Sequence, residues 1–527
     1  LASSLETFRS RHAAADGVLV AGSSNSLPTA ESAKSALEAN AADLVLYLYD
    51  LTEWDRFSTR EMNVVGRKEI LRSIIPDSES VQYIDHVNGR AKRLAAEAAR
   101  HLPGGVGAAA RYNPSFGRAL HISRAAGCRI WDADGNEYID FNLAHGAAFL
   151  GYDHPAVRGA YQRAIEMGVV SGYETDAHVE LARLVVDTIP SAERVRYANT
   201  GSEGTMVAVR LARAHTGRDK LLKFWGHFHG LYDYVMYNSH EPSEPEPPGG
   251  YPPGDYLPPV QESAGIPAAL DDLVVVVPWK DETALQRVLV EHGDQIAGII
   301  MEPINYNQGC IVADEGYHRF VREQATAHGC VLIYDEVLSA FRTGPDCAQG
   351  HIGVTPDLCV LGKAVAAGAP LAVVAGKAEV MERVAPTGGV AQSGTFTGTP
   401  PAVLSAIASL QAYNEAGFYD HIYATAAQLY DGIAALFAEA GLDGRVQGLG
   451  GRFGIFFGID GPVESYADAL RRDQELTSRF VAACGRHGVY FHDYGSIVVG
   501  HHGISAAHGT EDIAEALERI RAALSDL

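Results

Sequence analysis

A chain of 527 residues is too long for one hydrophobic core, so two or three domains are expected. Its 47% hydrophobic and 20% charged residues are those of an ordinary globular protein, and 65 acidic against 42 basic side chains, a formal charge of -23, disfavour nucleic acid or anionic lipid as partners. Six cysteines without a CxxC pair suit a reducing cytoplasm; no apolar run reaches the roughly 18 residues of a membrane span, and residues 1–25 lack the charged-then-apolar order of a signal peptide.

In chain order, residues 1–86 read as a separate N-terminal extension without a chemical motif. A helical stretch is expected first, then a Gly/Ser/Asn-rich break at 21–25, a second helix from about Thr29, and the apolar run Leu44 to Leu48. From about Asp85 a basic helix leads to Pro103-Gly104-Gly105, which stops it. Cys128 to Asp140 places an Asp-Gly turn between two alternating runs, which predicts a hairpin. Between about 165 and 375, helical periodicity alternates with runs such as Val274–Val277, Val331–Tyr334 and Leu358–Leu361. Strands buried on both faces and joined by helices predict an α/β domain with a mainly parallel sheet, whose chemistry collects at the carboxyl ends of strands. The remainder predicts a small α+β domain closed by an amphipathic helix from Glu511. The expected division is 1–86 as extension, 87–165 and 399–527 as the two parts of the small domain, and 166–398 as the large domain.

One stretch, Glu241 to Pro267, holds nine of the 24 prolines and is expected to be irregular, either a solvated loop or a pocket wall.

Four separated features point toward one cofactor. Asn199-Thr200-Gly201-Ser202-Glu203-Gly204 follows a predicted strand and opens a helix, where free N–H groups beside a glycine and two hydroxyls make a phosphate site, although a plain helix cap explains the segment equally when it is taken alone. Asp335 ends a buried run and requires a positive partner, either a structural cation or the protonated nitrogen of a pyridine ring. Lys363 lies among small and apolar neighbours, where a dehydrated amine becomes a neutral nucleophile; a snorkelling surface lysine is the alternative. In Trp225-Gly226-His227-Phe228-His229-Gly230, Phe228 either stacks on a planar ring or packs in the core, and His229 either assists proton movement or holds the loop. No metal site is expected, since His227 and His229 have no third ligand nearby in sequence.

From about Arg93 onward the chain resembles the class III, fold-type I pyridoxal 5'-phosphate (PLP) aminotransferases, most closely the branch containing glutamate-1-semialdehyde 2,1-aminomutase. The resemblance is carried by Leu102–Val106, Trp131–Asp140, Gly151–Pro155, Asn199–Glu203, His227–Gly230, Glu302-Pro303, Asp335–Val337, Leu361–Lys363 and Gly394–Gly398. It implies Lys363 as the Schiff-base lysine, Asp335 on the pyridine nitrogen, Val337 and Phe228 on the two ring faces, and Gly201 with Ser202 on the phosphate. Glu302 and His229 belong to the same cofactor site. Thr395 is expected to reach the cofactor phosphate of the neighbouring subunit, which implies a homodimer. Arg111, His145 and Tyr232 are expected to meet the substrate.

The chain departs from the mutase pattern in two places. The serine expected shortly after the Pro-Gly-Gly turn is Ala108, while Arg111 is retained; near the C-terminus, where the mutase carries a glutamate, this chain reads Val498-Val499-Gly500-His501-His502-Gly503. The expectation is therefore a cytoplasmic aminotransferase moving an amino group from a glutamate-like donor to an aldehyde or ketone, in secondary-metabolite (antibiotic) biosynthesis. A 2,1-aminomutase and a PLP-fold binding protein without turnover are the alternatives. Tyr232, Tyr234, Tyr237, Tyr251 and Tyr256 suggest an aromatic or extended substrate. Residues 1–86 are expected to be a packing extension, a pocket cover or a docking module.

Overall fold

The computed structural model describes residues 13–21, 44–54, 57–58, 81–83, 90–168, 170–240, 254–495 and 499–527. The chain divides into two compact units, Leu1–Ala98 and Ala99–Leu527. In the first, Ala13–Ala21 pairs antiparallel with Leu44–Trp54, which also pairs antiparallel with Phe57–Ser58 and parallel with Val81–Tyr83. The helix expected before residue 20 is thus a strand over Ala13–Ala21. Gly17 weakens a helix there, and Val18-Leu19-Val20 is the kind of run that a sheet accommodates. The second expected helix, from Thr29, lies outside the described residues. The expected basic helix is present as Arg90–His101, ahead of a tight turn at Pro103–Gly105.

The second unit is built on a seven-stranded sheet. Its strands, numbered in chain order, are β1 (Arg194–Ala198), β2 (Lys220–Phe224), β3 (Val274–Val277), β4 (Ile296–Met301), β5 (Val331–Glu336), β6 (Leu358–Leu361) and β7 (Ala372–Gly376), in the spatial order β1-β7-β6-β5-β4-β2-β3. All adjacent pairs are parallel except those of β7, which runs antiparallel to both β1 and β6. Every residue of β3 to β7 is buried, as expected of Val/Ile/Leu runs covered on both faces. The connecting helices carry their own punctuation. Helix α1 (Gly201–Thr216) is capped by the Thr200 hydroxyl and ends on Gly217 at φ +70°, a left-handed conformation that favours glycine.

The predicted hairpin is present: Arg129–Asp132 pairs antiparallel with Glu137–Asp140. A second partner of Glu137–Asp140 comes from the far end of the chain, because Val489–Tyr490 pairs parallel with it. A three-stranded sheet of Gly444–Leu449, Arg452–Phe457 and His501–Gly503 lies in the same C-terminal part. The closing helix, Thr510–Leu524, buries Ile513, Ala516, Ile520 and Ala523, the one-sided spacing of an amphipathic helix.

Within the proline-rich stretch, residues 254–267 make only isolated bridges, Leu257 to Val276 on the edge strand and Gln261 to Tyr237, so the described part is the irregular segment expected. Its tyrosines do not form an aromatic pocket. Tyr237 is fully buried with its hydroxyl donating to Asp271 at 3.0 Å, Tyr256 lies edge-on to His292, and Tyr234 lies under the guanidinium of Arg213. Each ring finds a protein partner first, which removes their support for an aromatic substrate. Tyr251 lies outside the described residues.

A buried helix, Pro400–Tyr413, clamps the turn after β6: Ser405 Oγ donates to the carbonyl of Ala366 at 2.8 Å and Tyr413 Oη to that of Ala364 at 2.7 Å. Each carbonyl also accepts a backbone N–H, from Ala369 to Ala366 at 3.0 Å and from Ala367 to Ala364 at 3.4 Å, so removing either hydroxyl costs the clamping bond alone. Ser405→Ala and Tyr413→Phe are each expected to lower stability by about 1 kcal/mol, read as a lower urea midpoint at unchanged slope.

Candidate active site

Five parallel strands deliver their carboxyl ends to one cavity of about 280 Å³. β1 leads into Gly201 and Ser202, β2 into Phe228 and His229, β4 into Glu302, β5 into Asp335 and Val337, and β6 into Lys363; all eight residues line it. Strand alternation separates the two acids of β5. Asp335 faces the cavity, whereas Glu336 turns to the other side, where it accepts from the backbone of Ala348 at 2.7 Å and from Gln349 Nε2 at 2.9 Å.

At one end of the cavity is an anion cradle. A helix leaves its first N–H groups without intrahelical acceptors. That of Glu203 is taken by Thr200 Oγ1 at 3.1 Å and that of Gly204 by the Thr200 carbonyl at 3.0 Å, which leaves those of Gly201 and Ser202 at the positive end of α1. Ser202 Oγ accepts from the Leu231 N–H at 3.1 Å and keeps its own O–H donor. A Cβ on Gly201 would lie 2.8 Å from both methyls of Val337, and one on Gly362 would lie 2.9 Å from Val337 Cγ1. Glycine at both positions is what leaves room for the Val337 side chain at the cavity wall.

At the other end both oxygens of Asp335 are fixed. Oδ2 lies 2.8 Å from His229 Nδ1, and Oδ1 accepts from the Val337 N–H at 3.0 Å. Burial depresses the pKa of His229 against the pull of Asp335, so the ring is neutral and its Nδ1 carries the hydrogen. Thr205 Oγ1 donates to the His229 carbonyl at 2.6 Å and holds that loop to α1. Glu302 accepts from the Phe228 N–H at 2.8 Å; burial first, then repulsion from Asp335, raise its pKa to about 8.

Lys363 stands between these ends. Burial lowers its pKa to about 8 although Asp335 and Glu302 pull it upward, so a large fraction of the amine is neutral near that pH. Its backbone lies at φ +44°, a left-handed conformation costly for a side chain with a Cβ. The clamp from Pro400–Tyr413 acts on the residues just after it.

The remaining predicted residues lie elsewhere. His145 is half-buried on a turn and lies in electrostatic reach of Lys363, Arg452 and Arg111. Arg111 is exposed. Tyr232 does not line the cavity; its ring packs on the cluster beneath α1 that includes Val207 and Leu211. Thr395 is exposed in the Gly394–Gly398 stretch and does not line the cavity of its own chain. The sequence reading missed Arg452, which the fold brings to the back of the site. Its signal was a charged residue inside the apolar run Arg452–Phe457, all of it buried.

The donor set fits PLP: an anion cradle, the apolar side chains of Val337 and Phe228 in the lining, a fixed carboxylate and a partly neutral lysine. Gly201→Ala is expected to push Val337 into the space of the ring and to weaken cofactor retention about tenfold, measured as cofactor lost on dialysis; adding Val337→Ala is expected to recover part of it. Glu302 supplies a pH signature. An unfolded glutamate titrates near 4.3, whereas the folded one keeps its proton to about 8, so its contribution to stability falls as pH rises between these values. In urea unfolding of the cofactor-free protein, Glu302→Gln is expected to flatten the decline seen in the parent over that window.

Residues 111–524 match the class-III aminotransferase family. The glutamate-1-semialdehyde 2,1-aminomutase of Nitrosospira multiformis (strain ATCC 25196 / NCIMB 11849 / C 71) is 35% identical over 429 residues, 81% of this chain and 97% of that protein. Among solved structures, an omega-transaminase from Sphaerobacter thermophilus superimposes with a TM-score of 0.77 at 30% identity, covering 84% of this chain and 98% of that one. The FumI protein of Sphingopyxis sp. MTA144, solved in a PLP form, does so with a TM-score of 0.71 at 27% identity, over 83% and 96%. The chain belongs to the class-III aminotransferases, and its chemistry depends on pyridoxal 5'-phosphate.

Proposed function

We propose that the protein transfers an amino group between two substrates, from a glutamate-like amino acid to an aldehyde or ketone, in the making of a secondary metabolite. The observation that carries this reading is the wall behind Lys363. The stretch where the mutase pattern has a glutamate here includes His501 and His502, and His501 lies with Arg452 in electrostatic reach of Lys363. A wall that carries the Arg452 cation, with neutral imidazoles and no carboxylate from this stretch, suits a substrate that brings its own negative charge.

PLP, when bound, supplies an electron sink conjugated to the amino-bearing carbon of the substrate. Asp335, fixed by His229 and Val337, would keep a proton on the pyridine nitrogen. Gly201 and Ser202 would hold the phosphate, and Val337 and Phe228 would pack against the ring. Lys363 Nζ would carry the Schiff base and, as the free amine, would move a proton from the substrate carbon; its lowered pKa suits it both to take and to give that proton. Glu302, neutral below about pH 8, adds no second negative charge beside Asp335. Arg111 binds the carboxylate of the donor.

The protein acts as a homodimer in this reading, with Thr395 of the partner subunit reaching the phosphate. Exposed Tyr173, Val179 and Phe396, at 75%, 71% and 67%, are the kind of apolar surface a second copy covers. A second reading, intramolecular 2,1-aminomutation, is favoured by the 35% identity to a relative of that name and by the retained Arg111.

Mixing the holoenzyme with L-glutamate and then an aldehyde separates the two. Loss of the cofactor absorbance band with glutamate and its return with the aldehyde are expected; turnover of glutamate-1-semialdehyde without any donor would establish the mutase. Lys363→Ala is expected to lose turnover by a factor of about a thousand and Asp335→Asn by about a hundred.

A further inference from the structure

Behind the wall at Leu338, beyond the cofactor cavity, lies a buried cation whose hydrogen bonds reach no carboxylate among the described residues. Arg452 is fully buried; its Nη2 donates to the His501 carbonyl at 3.0 Å and also meets His501 Nδ1. Its Nε and Nη1 have no hydrogen-bond partner among the described residues. Asp140 lies in electrostatic reach, but its oxygens are taken by the backbone N–H groups of Asn142 and Leu143, at 2.8 and 3.0 Å, and by the Tyr152 hydroxyl. Arg342, the neighbouring guanidinium, donates to the carbonyls of Leu338 and Gly146 and stacks over Phe149, which leaves one donor, Nη1, without a partner among the described residues, against two in Arg452. A buried charge with two open donors lacks an anion.

The backbone is shaped to bring this cation close to the cavity. Leu143, Ala144 and His145 all adopt positive φ, 55°, 52° and 55°, followed by Gly146 at 90°. Three consecutive residues with a Cβ in that conformation mark a functional turn. A Cβ on Gly146 would lie 2.9 Å from Arg452 Nη1 and 3.1 Å from Leu338 Cδ1, and Leu338 lines the cavity that holds Lys363. Glycine here lets the guanidinium pack close behind Leu338, with no side chain between them at position 146.

The surroundings are flat and uncharged. His145 Nδ1 lies 2.6 Å from Tyr494 Oη, Tyr494 stacks on His501 at 5.1 Å and 26°, and His492 lies 4.4 Å from Tyr494. Burial, and for His145 and His501 the nearby cations, keep these imidazoles neutral; the pKa of His145 falls to about 3 and that of His492 to about 4. These rings engage one another and are uncharged, which leaves the charge of the subsite to Arg452.

We propose that Arg452, beside His501, is the receptor for a carboxylate carried on the carbonyl substrate. This rests on the two-substrate reading above and specifies its acceptor. His145 and His501 lie in electrostatic reach of Lys363.

The test uses glutamate-loaded holoenzyme with two aldehydes of one shape, 4-formylbenzoate and benzaldehyde. The parent is expected to prefer 4-formylbenzoate at least tenfold in kcat/KM. That ratio is expected to fall to near one in Arg452→Gln and to an intermediate value in Arg452→Lys. In parallel, calorimetric titration with benzoate is expected to give at least tenfold weaker binding to Arg452→Gln than to the parent. A parent ratio near one, a ratio unchanged in Arg452→Gln, or equal benzoate binding by both would overturn the proposal, and the first of these needs no variant to fold. If neither aldehyde accepts an amino group, the two-substrate reading falls, while the benzoate titration still decides the subsite.

Discussion

The site depends on taking charged groups out of water at one sheet edge. Asp335, Glu302, His229 and Lys363 stand at strand ends where hydration is poor, and each is acceptable only because another offsets it. Asp335 is held by His229 and by the Val337 N–H. Glu302 answers the same burial by keeping its proton, and Lys363 by losing its own more easily. Asp335 is thereby fixed in place while the lysine remains able to give and take a proton at moderate pH. Burial drives both shifts; the field of Asp335 adds to that of Glu302 and opposes that of Lys363.

Backbone geometry carries the second half of the arrangement. Val337 can close on the cavity only because positions 201 and 362 have no side chain, and Lys363 is presented from a left-handed conformation that its own sequence disfavours. The hydroxyls of Ser405 and Tyr413 hold the carbonyls that follow it. These bonds come from a helix some forty residues further along the chain, so the tension at the lysine is offset by packing rather than by local propensity.

Most of the cofactor side was legible in the residues. Strand ends could be read from the buried runs, and the chemistry of Asn199–Gly204, His227–Gly230, Asp335–Val337 and Lys363 followed from where those ends fell; all four segments meet in one cavity. The substrate side was much less so. Tyr232, Tyr234, Tyr237 and Tyr256 suggested a pocket by number and nearness, yet each is occupied by Val207 and its neighbours, Arg213, Asp271 or His292. Arg452 gave a signal, a cation in an apolar run, whose meaning needed the partners it meets. The N-terminal reading failed over Ala13–Ala21 because a short run of Val and Leu pairs with whatever strand the rest of the chain supplies.

The sequence by itself determined the α/β order of the large unit, the α+β character of the C-terminal part and the segments that meet in the cavity. Burial periodicity, turn residues and helix-opening motifs are local properties, and a strand end marks where chemistry collects. Only the tertiary structure decided that Glu137–Asp140 and Val489–Tyr490 share a sheet, that burial shifts Lys363 and Glu302 in opposite directions, and that Arg452 keeps two donors without a partner among the described residues. Those outcomes depend on which distant groups share the same dry volume, and electrostatic energy in such a volume is set by distance in space rather than along the chain.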